Sequence, residues 1–322
     1  MPPLIEARLQ AARSDASVVH IPERKLVTSA KSHSSDKEGK NTIPASYAVV
    51  NYAEKMEPVL GISQVSHAGV SELTHHANLA AAAYCPQIMT SPKYPEALGS
   101  VVAAFNSSSP HNATAFVSVS DENMAIYVAF AGSVGPRDFI DHSSYNMTSY
   151  TPVDNAHVNS QIYDAYLSIE EKLIMTLADL IPKKDGYQIK TVGHSMGGAL
   201  ATFAALDIYQ RFQGANSTDI FIYSYGEPRV GDLAFAKYAN ATNISKYRVV
   251  NWADAVPHMP NLDNNGTFVH FGLEMLIGNA IPQLTWQCDT DQLESEYCSN
   301  LLPDYDISYN FRYYDASMGE CP

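Results

Sequence analysis

A serine flanked by glycines is the first feature of the sequence that could do chemistry: it is the centre of Gly193-His194-Ser195-Met196-Gly197. A serine that attacks a carbonyl group must stand on a sharp turn, and its neighbours must be small because larger side chains would collide across that turn. The alternative is that Ser195 only caps the following helix, since serine is a favoured N-cap residue. A cap needs none of these glycines, so the pattern favours a nucleophile.

A serine nucleophile needs a base, and the base needs a carboxylate that orients it. On a strand–turn–helix elbow the order along the chain is Ser, acid, His. Only His258 and His270 follow Ser195. The carboxylates between Ser195 and His270 are Asp207, Asp219, Glu227, Asp232, Asp254 and Asp263. Asp254 is preferred because it directly follows a predicted strand, where catalytic loops gather. The longer loop before His270 favours it over His258, which would have to fold back tightly on Asp254.

The elements around these residues alternate between strands and helices. Apolar runs predict strands at 114–120, 124–133, 187–193, 219–226 and 246–253. Helical spacing predicts helices at 71–85, 159–182, 195–212 and 232–240. This alternation indicates an α/β protein with a mostly parallel sheet that is covered by helices on both faces.

Composition excludes several classes of function. The chain has 322 residues, 46% of them hydrophobic, and a net charge of −14, which argues against nucleic-acid binding. Residues 1–56 carry eight Lys and Arg against six Asp and Glu, whereas the remainder is strongly acidic, so a boundary is expected there. No apolar run reaches the roughly 18 residues of a membrane span, so no transmembrane segment is expected.

Cysteines and glycosylation sequons bear on the compartment. The four cysteines form no CxxC pair, so a zinc site is not expected. Asn-X-Ser/Thr sequons begin at Asn106, Asn112, Asn146, Asn216, Asn240, Asn243 and Asn265. The N-terminus lacks the apolar core of a signal peptide, so either a signal was removed or the protein is intracellular. The sequons and paired cysteines favour a secreted glycoprotein.

Several strings together resemble the secreted fungal lipases of the class 3 lipase family, over roughly residues 57–322. They include VAFAGS, TVGHSMGGAL, YSYGEPRVGD, DAVPHMP and FVHFG. The resemblance implies an α/β-hydrolase fold and a triacylglycerol lipase that acts on lipid at a lipid–water interface without a metal or organic cofactor. It implies Ser195 as nucleophile, Asp254 as acid and His270 as base.

The same resemblance implies further residues and two segments. Ser133 and Met196 would form the oxyanion hole. Residues 134–150 would form a lid that carries Arg137, Phe139 and Ile140. The implied disulfides are Cys85–Cys321 and Cys288–Cys298.

Residues 1–56 resemble a pro-segment that would cover the site of a hydrolase domain at 57–322. Two rival functions stay open at this point. One is a feruloyl esterase of the same family. The other is a catalytically inactive secreted binding protein on the same scaffold.

Overall fold

The computed structural model describes residues 62–85, 98–108, 110–133, 145–212, 219–261, 267–278, 281–288, 293–295 and 297–319. Outside these ranges lie the residues expected in a lid, Arg137, Phe139 and Ile140, the expected pro-segment 1–56, and Cys321. Within these ranges, no helix combines the length and the apolar character that crossing a bilayer requires.

The described strands and helices are these. The strands are β1 (Ile62–Gln64), β2 (Ser100–Asn106), β3 (Thr114–Ser120), β4 (Ala125–Phe130), β5 (Met147–Ser149), β6 (His157–Asn159), β7 (Gln188–His194), β8 (Ile220–Tyr225), β9 (Ser245–Asn251), β10 (Leu273–Gly278), β11 (Ile281–Cys288), β12 (Arg312–Tyr313) and β13 (Ala316–Ser317). The helices are α1 (His67–Ala82), α2 (Ser160–Leu180), α3 (Met196–Phe212) and α4 (Leu233–Ala241). Two short 3₁₀ turns that matter for the site are Val256–His258 and Ile307–Phe311.

Nine strands form one sheet in the order β1-β11-β10-β9-β8-β7-β4-β3-β2. The five central strands, β4, β7, β8, β9 and β10, are parallel, and the outer pairs are antiparallel. The mostly parallel sheet predicted from the sequence is therefore confirmed. Of these nine strands, β1, β2, β10 and β11 were not predicted. Alanine in β2 and leucine and methionine in β10 are good helix formers, so pairing with neighbours rather than local preference makes these segments strands.

Strand β4 shows how the core is divided between the two faces of the sheet. Ile126, Val128 and Phe130 point into a core built with α2, α3 and α4. The alternate residues of β4, which include Tyr127, point into a second core built with α1 and the C-terminal segment around Tyr313. Successive side chains of a strand point to opposite faces, so a strand that is apolar throughout needs cover on both sides.

Helix starts follow capping chemistry. Asp232 caps α4, and its carboxylate accepts from Phe235 N at 2.9 Å. Asn159 caps α2 by accepting from Ile162 N. Helix α1 begins earlier than predicted, because Ser66 rather than a residue near 71 supplies the N-cap oxygen.

Candidate active site

Ser195 lies on the turn between β7 and α3. Its φ is +55°, in the left-handed region that non-glycine residues rarely adopt, and its N–H donates to Tyr225 O at 2.8 Å. An N-cap residue has extended dihedrals instead, so the simple capping interpretation does not fit. Such a conformation costs about 1–3 kcal/mol and persists only where the surroundings enforce it. The turn has the geometry of a nucleophile elbow.

The absent side chain of Gly193 is one reason the elbow can close. A Cβ at Gly193 would collide with the backbone carbonyl of Gly197 on the first turn of α3. Strand β7 and helix α3 therefore approach each other more closely there than any larger residue would allow. The glycine spacing in the sequence predicted this close approach.

Ser133 and Met196, the expected oxyanion residues, lie beside Ser195. All three line one pocket, and the Ser133 hydroxyl donates to Met196 Sδ at 3.9 Å. The segment before Ser133 comes close because Gly132 has no side chain: a Cβ there would lie 3.1 Å from Ser195 Cβ. The N–H of Met196 is in the first turn of α3, where amides lack partners within the helix. An anion that forms next to Ser195 would be near these donors.

The pocket at Ser195 is mostly apolar. Its polar or aromatic lining, besides the two serines, is Tyr145, Asn159 and Arg229. Its remaining lining residues are Ile162, Met196, Pro228, Val256, Met259 and Pro260. Apolar walls with a few polar groups at one end suit a ligand that has an acyl chain and a carbonyl group.

Asp254 is fully buried just beyond the C-terminal end of β9, as predicted for the acid. Its Oδ1 accepts from Val256 N at 2.9 Å. Its Oδ2 accepts from the Tyr313 hydroxyl at 2.5 Å and from Asn310 Nδ2 at 2.7 Å. Burial raises the pKa of Asp254 to about 6, although these three donors favour the ionised form and oppose the rise.

His270 does not contact Asp254, and the prediction that it is the base is contradicted. Its Nε2 lies 2.6 Å from Pro257 O, and because a carbonyl can only accept, Nε2 carries the hydrogen. Its backbone N–H donates to Glu294 Oε1 at 2.8 Å. Burial and nearby arginines hold the pKa of the His270 imidazole well below its usual range. In the described part of the chain, His270 bonds neither Ser195 nor Asp254 and does not line the pocket.

The direction of the chain explains why His270 is misplaced. Strands β9 and β10 are parallel, with Asn251 beside Ile277, so their connection must run from the C-terminal edge of the sheet to its N-terminal edge. Asp254 stands at the start of that connection, and His270 stands three residues before β10. His258, the alternative, lies in the 3₁₀ turn after Asp254 and stacks on Tyr305 with ring centroids 3.7 Å apart.

The side chain of Asn310 bonds the carboxylate of Asp254. It lies in the turn Ile307–Phe311, which Asp306 holds against the acid by donating its N–H to Ala253 O at 2.8 Å. The backbone carbonyl of Asn310 accepts from His194 Nε2 at 2.8 Å, so this residue contacts both the acid and the elbow. Asn310 and Tyr313 were missed because the sequence search considered only imidazoles. No local pattern joins positions 56 and 59 residues apart.

Two further sequence predictions concern the surface and the disulfides. Cys288 and Cys298 form a disulfide, as predicted. Cys85 is buried, Cys321 lies outside the described residues, and their pairing remains a prediction. The sequon asparagines within the described ranges are all exposed: Asn106, Asn112, Asn146, Asn240 and Asn243. Their exposure is compatible with glycosylation.

Sequence comparisons find relatives with lipase names. A family model described as lipase (class 3) matches residues 127–264. A lipase from Rhizomucor miehei is 30% identical over 331 aligned positions, which cover 100% of this chain and 90% of that protein. A secreted mono- and diacylglycerol lipase A from Penicillium cyclopium is 28% identical over 194 positions, which cover 60% of this chain and 59% of that protein.

Solved structures agree with the sequence relatives. Rhizomucor miehei triacylglyceride lipase matches with a TM-score of 0.74 at 30% identity, over 81% of this chain and 100% of that chain. A triacylglycerol lipase with a catalytic centre formed by a serine protease triad matches with a TM-score of 0.75 at 31% identity, over 81% and 100% of the two chains. These neighbours have the α/β-hydrolase fold, so the fold implied by the resemblance is confirmed. Together with the Ser195 elbow, the match along the whole chain establishes that this protein belongs to the class 3 lipase family.

Proposed function

We propose that this chain is a serine carboxylic ester hydrolase of the triacylglycerol lipase type. The observation that carries the proposal is the strained Ser195 turn, which opens into a mostly apolar pocket that Ser133 and Met196 also line. The lipase names of the relatives support the same reaction class. Acylglycerols are the substrates that this pocket fits, because they pair a long apolar chain with an ester carbonyl.

The proposed chemistry starts when the acyl chain lies against Ile162 and Val256 and the ester carbonyl faces Ser195. The serine oxygen releases its proton to water as it bonds to the carbonyl carbon, and the carbonyl oxygen becomes an anion. Met196 N–H and Ser133 donate to that anion, and each donor of this kind lowers the barrier by about 3–4 kcal/mol. The alcohol leaves with a proton, and water then releases the fatty acid from the serine.

The test is covalent labelling by a fluorophosphonate of the full chain and of Ser195→Ala, followed by hydrolysis of tributyrin emulsions by the full chain. We expect the substitution to abolish the labelling, because it removes the nucleophile. Ser168→Ala is the matched control, since its hydroxyl bonds only a helix carbonyl. Labelling that persists in Ser195→Ala, or a full chain that is neither labelled nor hydrolyses any ester, would refute the proposal. Faster hydrolysis of methyl ferulate than of tributyrin would favour the feruloyl esterase instead.

The pro-segment and the extracellular location are parts of the same proposal. Residues 1–56 are proposed to bind the hydrolase domain 57–322 over its active site, and a Rhizomucor miehei lipase relative has been solved as a propeptide complex. Removing residues 1–56 should raise tributyrin hydrolysis, and adding them back as a peptide should lower it. Unchanged activity and refolding yield after removal would contradict this role. Secretion is supported by the exposed sequons and would be tested by glycopeptide mapping of protein from a eukaryotic host.

One observation favours a second candidate function, the binding of acyl esters with little turnover. Ester hydrolysis by serine requires a group that accepts the serine proton. The side chain bonded to Asp254 on the side of the elbow is Asn310, which cannot accept a proton near neutral pH.

A further inference from the structure

We infer that Asn310 occupies the position of the general base, so that Ser195 has no imidazole among the described residues to take its proton and the chain turns esters over slowly. The inference rests on the proposed function, in which Ser195 is the nucleophile. It also implies that Asn310→His converts the same site into a fast hydrolase.

Asn310 is held in this position by contacts on both sides. It is buried, with 4% of its surface exposed. Its Nδ2 donates to Asp254 Oδ2 at 2.7 Å, and its backbone carbonyl accepts from the imidazole of His194, the residue before Ser195. A Cβ on Gly226, which follows β8 beside the elbow, would meet Asp254 Oδ2 and the Tyr313 hydroxyl at 2.8 Å. The acid, Asn310 and the elbow therefore share one small region.

An asparagine can do only part of what a triad histidine does. In a triad, one imidazole nitrogen donates to the acid and the other accepts the proton of the serine. The amide N–H₂ of Asn310 reproduces the first contact, and it satisfies the buried carboxylate of Asp254. A carboxamide has no second nitrogen with a free electron pair and does not protonate near neutral pH. Asp254 is therefore held in place, but the side chain bonded to it cannot accept the proton of Ser195.

The imidazoles of His194 and His270 form hydrogen bonds with groups other than Ser195 and Asp254. His194 uses both nitrogens: Nδ1 lies 2.6 Å from the Tyr84 hydroxyl, and Nε2 donates to Asn310 O. Burial lowers the pKa of His194 to about 4. His270 donates to Pro257 O. Within the described ranges, Asp254 accepts only from Val256, Asn310 and Tyr313, so no described imidazole is oriented by the acid.

The missing base affects each proton transfer in the reaction. When the serine oxygen bonds to the carbonyl carbon, its proton must pass to water rather than to a side chain. When the ester C–O bond breaks, the departing alkoxide must take a proton from water. Loss of the histidine of a serine triad lowers kcat by about 10⁶-fold, and the oxyanion donors and binding retain a residual acceleration of about 10³–10⁴-fold over water. The expected state is an ester-binding pocket that turns over slowly.

The decisive experiment compares the full chain with Asn310→His on p-nitrophenyl butyrate and tributyrin. We expect Asn310→His to raise kcat by at least 10²-fold at pH 8 and to add an ionisation between about pH 6 and 7 to the pH–rate profile, the usual range of an imidazole. Adding Ser195→Ala to Asn310→His should abolish the gain. Phe311→His is the matched control, because it places an imidazole on the exposed neighbour of Asn310, away from Asp254.

A second variant keeps the inference testable if Asn310→His does not fold. His270→Gln should leave the rate of the otherwise unaltered chain unchanged within about threefold, and circular dichroism would verify its fold. A loss of 10³-fold or more in folded His270→Gln would make His270 the base and overturn the inference. The inference also fails if the unaltered chain turns over at about 1–10³ s⁻¹, the usual range for enzymes, or if folded Asn310→His gains less than tenfold.

The proposed function fails on a different readout. A fluorophosphonate should label Ser195 quickly in Asn310→His and slowly in the unaltered chain. If neither chain is labelled at Ser195 and neither hydrolyses any ester, Ser195 is not a nucleophile and both proposals fall. If Ser195 is labelled equally fast in both chains, only the inference about Asn310 falls.

Discussion

The hydrogen bond from Tyr313 to Asp254 allows a quantitative prediction of how stability depends on pH. Tyr313→Phe removes only the hydroxyl that donates to Asp254 Oδ2 in the interior. With a pKa of about 6, Asp254 is ionised at pH 8 and mostly neutral at pH 5. A hydrogen bond to a charged group contributes about 1.5–3 kcal/mol to stability, whereas one between neutral groups contributes about 0.5–1.5 kcal/mol. The substitution should therefore cost about 1 kcal/mol more at pH 8 than at pH 5.

The sign follows from linkage between protonation and folding. The pKa of Asp254 is raised in the folded state, so its favourable contribution is fully present below the unfolded pKa, near 3.9, and is lost as pH rises through about 6. Removing the Tyr313 donor raises the folded pKa further, because one group that favours the ionised form is gone. The variant should thus lose stability more steeply than the unaltered chain between pH 5 and pH 8.

Urea unfolding at both pH values, followed by tryptophan fluorescence, would measure the difference. Tyr314→Phe is the matched control: Tyr314 is also buried, but its hydroxyl pairs with the neutral Thr285 Oγ1 at 3.2 Å. Its cost should be the same at both pH values. The reasoning is refuted if Tyr313→Phe costs the same at pH 5 and pH 8, or if Tyr314→Phe shows an equal pH dependence.

Three further predictions concern packing and charge. Arg229→Met should cost about 3–5 kcal/mol in urea unfolding, because it leaves the largely buried Glu294 without an opposite charge. Arg211→Met, which removes a half-exposed arginine from its ion pairs with Glu170 and Asp207, should cost about 1 kcal/mol or less. Equal costs would contradict this. When it is added to Asn310→His, Gly132→Ala should lower kcat for p-nitrophenyl butyrate by about 10²-fold. A Cβ at this position would press on Ser195 and displace the proposed oxyanion donors. An unchanged kcat would show that the donors are elsewhere. The double variant Cys288→Ser and Cys298→Ser should have a free energy of unfolding that is lower by about 2–3 kcal/mol. Its rate of ester hydrolysis at 25 °C should be unchanged. A loss of hydrolysis in the folded variant would place this loop in the active site.

Much of the fold could be predicted because its signals are local. The alternation of apolar strands with helices indicated a parallel sheet, and strands β3, β4, β7, β8 and β9 lie close to where the sequence placed them. The Ser195 elbow was also predictable, because glycines at fixed offsets are needed for that turn. Strand β10 was not, since its leucines, methionine and glutamate suit a helix as well as a strand and only its neighbours in the sheet select one.

The predicted acid and the predicted base had different outcomes for one physical reason. Asp254 follows a parallel strand, so the direction of that strand alone places it at the edge where Ser195 stands. His270 precedes the next parallel strand, so the same rule places it toward the opposite edge of the sheet. Being a histidine does not say at which edge of the sheet the side chain lies, whereas the direction of the chain does.

The amino-acid sequence by itself determined the family, the strands β3, β4, β7, β8 and β9 and the nucleophile turn, because each is indicated by short runs of residues that are close along the chain. Only the tertiary structure decided which side chain faces Asp254. A backbone hydrogen bond from Asp306 N–H to Ala253 O holds the turn Ile307–Phe311 against Asp254. Asn310, which lies 56 residues further along the chain than Asp254, contacts it for this reason. Contacts between such distant positions depend on how the whole chain packs, and no short pattern of residues records them.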